Sequence, residues 1–78
     1  MNTKYVGQIV QYTARPFGSL HGSPMLFAAI TGKINTDGTL GLHVLTPTGT
    51  HWIEAAPFTE ASPGTEAALN KYTLVPTN

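Results

Sequence analysis

Apolar and polar residues alternate through LFAAITGKINTDGTLGLHVLTPTGTHWIEA, residues 26–55, and turn chemistry interrupts the alternation twice. The first interruption is NTDG: Asn35, Thr36, Asp37 and Gly38 suit a type I turn closed by a left-handed glycine, the three-residue hairpin loop with a G1 bulge. Asn35 is placed to cap the turn through its side chain, and Gly38 takes the positive φ without steric cost. This loop sets Ile34 opposite Leu40, Gly32 opposite Leu42 and Ile30 opposite Val44. Even positions then meet even positions, so turn and hydrophobic pattern specify one register. Ile30, Ile34, Leu40 and Val44 are the expected inward residues.

The second interruption, TPTG, places Pro47 at the first central position of a turn between Thr46 and Gly49. Val44 then lies opposite His51, Leu42 opposite Ile53 and Leu40 opposite Ala55. The other face brings His43 beside Trp52 and Gly41 beside Glu54, so that the indole covers a strand glycine. Upstream, KYVGQIVQYT (4–13) reads as a strand with Val6, Val10 and Tyr12 on one face and Ile9 on the other. ARPFGSLHGSP (14–24) is a long irregular connection. Downstream, PFTEASPG (57–64) is a loop. TEAALNK (65–71) forms one short helical turn with Thr65 as N-cap, and YTLVP (72–76) closes the fold as a strand. The expected architecture is all-β: a small SH3-like barrel or a strongly curled antiparallel meander of about five strands, with one short helical turn near the C-terminus.

Length fits one domain over residues 1–78, near the lower limit of independent stability. There is no cysteine to staple it, so extra burial by assembly with copies of itself is expected. Charged residues make up 10% of the chain, against roughly 25% in ordinary soluble domains, and they sum to zero. A surface this poor in charge points to contact with another surface. It also disfavours generic DNA binding, which needs clustered Lys and Arg. No apolar run reaches membrane-spanning length and MNTKYVGQIVQ has no signal-peptide core, so synthesis in a cytoplasm is expected.

GQIVQY (7–12) and AAITGKINTDGTLGLHVLTPTG (28–49) together resemble short uncharacterised proteins of tailed bacteriophages. Their pattern is G-x-I-V-x-Y, a variable loop, A-A-I-V-T-x-V, D-G-x-V-x-L-x-V, then P-x-G. This chain departs from many of them at Gln11, where they carry histidine, and at KYTLVP, where they end in Trp-His-Trp-Pro. The resemblance implies a phage accessory protein, made in the host bacterial cytoplasm or carried in the virion. It brings no catalytic residue.

Catalysis is not expected. Glu54 is the one acidic residue within a strand, no serine has a base or a nucleophile-elbow context, and no glycine-rich loop has phosphate-binding spacing. His43 and His51 point to opposite faces, which leaves no shared metal site, and no cofactor is expected. Recognition remains. The outer face offers Trp52, His43 and Glu54, with Arg15, Phe17 and His21 as a wall from the long loop. That set suits a homo-oligomer interface or docking on a larger phage or host assembly. The alternative is a nucleotide-like ligand stacked on Trp52 and contacted by Arg15, as in a protein that sequesters a host nucleotide signal. Single-stranded nucleic-acid binding is a third, less favoured by the neutral charge.

Overall fold

The computed structural model describes residues 4–16 and 22–75. Five antiparallel strands form one sheet: β1 (Ile9–Ala14), β2 (Met25–Ile34), β3 (Leu40–Thr46), β4 (Gly49–Ala56) and β5 (Lys71–Leu74), in the order β4-β3-β2-β1-β5. The sheet curls without closing, so the curled meander describes it better than a barrel does. After β4 the chain crosses to β5 and meets it at one parallel bridge, Phe58 to Tyr72. The helical turn is a single 3-10 turn, Glu66–Ala68. Thr65 precedes it as expected, but its hydroxyl donates to the carbonyl of Ser62 rather than capping the turn.

Both tight turns form. Gly38 takes φ +92°, the Asn35 carbonyl accepts from the Gly38 amide at 3.1 Å, and Ile34 faces Leu40. Asn35 closes the turn through its side chain as expected, its amide donating to the Thr39 hydroxyl at 2.9 Å, and it also reaches across to the Glu54 carbonyl at 3.2 Å and ties the turn to β4. Asp37 adds a second side-chain cap, accepting from the amide and hydroxyl of Thr39 at 3.0 and 2.7 Å. Those two donors hold its carboxyl below the usual carboxylate range. At the second turn, Thr46 pairs with Gly49, and the expected pairs Val44–His51, His43–Trp52 and Leu42–Ile53 all appear.

Two bulges alter what lies beyond. Gly32 is an extra residue between the pairs Thr31–Leu42 and Lys33–Gly41, so Ile30 faces His43 and Ala29 faces Val44. Side chains alternate along a strand, so one inserted residue exchanges the two faces of everything past it. Of the four aliphatics expected inside, Leu40 and Val44 are buried. Ile30 turns to the outer face, and Ile34 sits at the rim, 42% exposed. Ala29 and Thr31 occupy the interior instead, with the large rings of Tyr12, Phe27 and Tyr72 filling the space beside them. The second bulge lies opposite Gly41 and brings Ala56, not Ala55, against Leu40. Val10 and Tyr12 point inward as expected, but β1 begins only at Ile9, and Val6 lies exposed beside Gly7 at φ +95°.

The core consists of Val10, Tyr12, Ala14, Phe27, Ala29, Leu40, Leu42, Val44, Ala56 and Tyr72. Two hydroxyls are buried in it without a hydrogen-bond partner among the described residues, those of Thr31 and Tyr72.

Candidate functional site

The outer face divides into two halves. At the Ala14 end of β1, the connection before β5 covers it: the Gly64 amide donates to the Thr13 hydroxyl at 2.9 Å, and the Asn70 amide to the Thr13 carbonyl at 2.7 Å. The other half is open. Across it the pairs run Trp52, His43, Ile30, Ile9 in one row, with Leu45 and Ala28 in the row beside it. Ile9, Leu45 and Trp52 are each at least 40% exposed although they are large apolar residues.

Trp52 is the best-defined group on this face. Its ring lies over two glycines, which explains why both positions lack a side chain. A Cβ on Gly41 would fall 2.6 Å from Trp52 Cη2, and one on Gly32 would fall 3.0 Å from Cζ3 and 2.9 Å from His43 Nε2. The His43 ring packs beside the indole with centroids 4.8 Å apart and planes tilted by 52°. Indole Nε1 donates to Glu54 Oε1 at 2.9 Å, and Lys33 Nζ donates to Glu54 Oε2. The Lys33 and Trp52 hydrogen bonds, with the lysine charge, hold the Glu54 carboxyl below its usual range. The indole is thus fixed from beneath and along one edge, and its outer π face meets solvent. Lys33, Glu54 and the ring form a self-neutralised group.

The structure therefore brings His43, Trp52 and Glu54 together and adds Lys33. Lys33 was readable beforehand: the NTDG turn alone sets it opposite Gly41, and the expected register sets Glu54 on Gly41's other side, where the structure has the bulge between the pairs Leu42–Ile53 and Leu40–Ala56. Arg15 is elsewhere. The Trp52 row meets β1 at Ile9, six residues or about 20 Å from Arg15, which pairs with Glu66 at 3.1 Å. Phe17 and His21 lie outside the described residues. His51 belongs to the face opposite His43, and no three His, Asp or Glu residues converge as metal ligands among the described residues.

No protein-family model, no curated protein and no solved structure matches this chain.

Proposed function

We propose that the chain is a non-enzymatic module that pairs with a second copy of itself through the open half of its outer face, with Trp52 near the centre of the contact. In the setting implied by its resemblance to phage proteins, it serves as an accessory protein, docked in a larger assembly in the host cytoplasm or the virion. One observation carries this reading: Ile9, Leu45 and Trp52 expose apolar surface together on one sheet face, and the charged groups that flank Trp52 among the described residues, Lys33 and Glu54, neutralise each other. Apolar area of this kind is driven to leave water. The ion pair is self-complementary, because a twofold-related copy can set its Glu54 beside Lys33 and meets no like-charge repulsion. A standard interface takes about 800 Å² from each partner. That is about one sixth of the 4890 Å² surface of this chain.

A second reading is supported by the immobilised indole, whose free face is ready to stack a flat ring such as a nucleobase. A nucleotide also needs a cation for its phosphate. The cation at hand, Lys33, is engaged by Glu54, and Arg15 lies at the other end of β1. Self-association therefore stands first. No helix among the described residues is long and apolar enough to cross a membrane.

Sedimentation velocity of the unmodified chain and of Leu45→Lys tests the proposal. The expected result is a dimer at micromolar concentration that becomes monomeric in the variant, with unchanged far-UV circular dichroism. A monomer at every concentration, or a Leu45→Lys dimer as tight as the parent, would overturn it.

A further inference from the structure

β5 is an edge strand that is only half covered. On its inner side it pairs with β1, Tyr72 with Tyr12, Thr73 with Gln11 and Leu74 with Val10. On its outer side the chain leaving β4 supplies two hydrogen bonds, both to Tyr72: its amide donates to the Pro57 carbonyl at 2.9 Å, and its carbonyl accepts from the Thr59 amide at 3.0 Å. The chain then turns away at Thr59, whose hydroxyl accepts from the Ala61 amide at 3.1 Å. In an antiparallel ladder the main-chain groups of alternate residues point to the same side. Those of Leu74 therefore face the same edge as those of Tyr72, and no loop or turn group among the described residues bonds to them.

A cavity of about 290 Å³ opens at this point, walled by Phe58, Pro63 and Leu74 and by the Thr73 and Gln11 side chains. Thr73 is only 6% exposed, and the hydrogen bond that its hydroxyl makes among the described residues, to Gln11 Oε1, is long at 3.4 Å. The Gln11 amide nitrogen has no partner among the described residues. Phe58 is propped against Tyr72 with centroids 5.5 Å apart and leaves the rest of its ring exposed. Glu60 is the one charged residue in the lining.

We propose that this open end of β5 is a peptide-binding site that takes a short extended segment, neutral or basic, as an added strand. The N–H and C=O of one extended residue match those of Leu74 in both position and sense, which is how edges recruit strands. The Gln11 amide reads a second carbonyl of the segment, Phe58, Pro63 and Leu74 take an apolar side chain, and Glu60 excludes acidic neighbours. The site lies at the β5 edge of the sheet, at the far end of the outer face from Trp52 on β4, and its main-chain contacts on Leu74 do not depend on self-association.

Titration of the 15N-labelled full chain with acetyl-Thr-Val-Lys-amide, followed by amide NMR shifts, tests it. A second probe carries an N-methyl group on the valine, which removes the donor that would meet the Leu74 carbonyl. The expected result is a saturable shift at Leu74, Thr59 and Ala61, at least about fivefold weaker for the N-methyl probe. Trp52→Ala leaves the response intact, whereas Leu74→Pro removes it. Proline is tolerated where an edge N–H faces outward. If that variant fails to fold, the two probes alone decide. No saturable shift at Leu74 at millimolar probe, an equal response to both probes, or a Leu74 shift that follows protein concentration without probe (a second copy on the edge) would each overturn the proposal.

Discussion

Replacing Gly41 by alanine tests the packing of Trp52 directly. Two effects of opposite sign compete. Gly41 lies within β3 and lacks a positive φ, so alanine fits its backbone and stabilises through the unfolded state by about 0.4–1 kcal/mol. Against this, the new methyl would sit 2.6 and 2.9 Å from two atoms of the indole and 3.1 Å from Lys33 Cβ. Carbon atoms rest about 3.5–4.0 Å apart, so the ring must lift by about 1 Å. Lifting it strains the 2.9 Å bond to Glu54 and the contact with His43. Overpacking of this kind costs about 1–3 kcal/mol, and a half-exposed ring that can give way belongs in the lower part of that range. The net expectation is a loss of about 1 kcal/mol, or about 4–8 °C in Tm for a chain of this size. Thermal unfolding followed by far-UV circular dichroism measures it. The sign should reverse in a Trp52→Ala background, where Gly41→Ala stabilises by up to about 0.5 kcal/mol because the indole clash is gone and only the 3.1 Å approach to Lys33 Cβ, relieved by a shift of a few tenths of an ångström, remains. An equal cost in both backgrounds would refute the placement of the ring over Gly41.

Three further outcomes are expected. Thr31→Val removes a buried hydroxyl that has no partner among the described residues and keeps the shape, so Tm should rise, with a gain of about 1 kcal/mol in denaturant unfolding. Gly38→Ala forces a side chain onto φ +92° and should cost about 1–2 kcal/mol, read from the same unfolding curves. Glu54 has a folded-state pKa below its unfolded value, so its contribution is complete above the unfolded pKa, about 4.3, and is lost as pH falls through the folded one. Trp52 emission should therefore change in acid below that range, and Glu54→Gln should abolish the step while leaving emission at neutral pH close to the parent.

Much of the fold could be read from residues 26–55 because the two turns act locally. NTDG and TPTG fix their own geometry, and each dictates pairing for the few residues on either side. This is why the Ile34–Leu40 and His43–Trp52 pairs, and with them the outward indole, followed from the sequence. Register inferred from a turn holds only as far as the next bulge. Gly32 marked one, since an isolated glycine within a strand signals either a bulge or a close approach, and here it provides both. The apolar pattern favoured isoleucine over Ala29 and Thr31 inside; the rings of Tyr12, Phe27 and Tyr72 reverse that preference by filling the interior from other strands. The wall of Arg15, Phe17 and His21 rested on a loop whose path no local rule dictates. Its one described member turns to Glu66. The open end of β5 was not legible at all, because it depends on where the chain after β4 stops following its neighbour.

Trp52 is the only tryptophan, so its fluorescence reports on one place alone. Acrylamide quenching of that emission across a dilution series, set beside mass measured on the same samples, is the most direct test of the outer face as an interface. Quenching should fall as the dimer forms, with the same midpoint as the gain in mass. A dimer whose indole stays as accessible as the monomer's would place the interface elsewhere and contradict the claim.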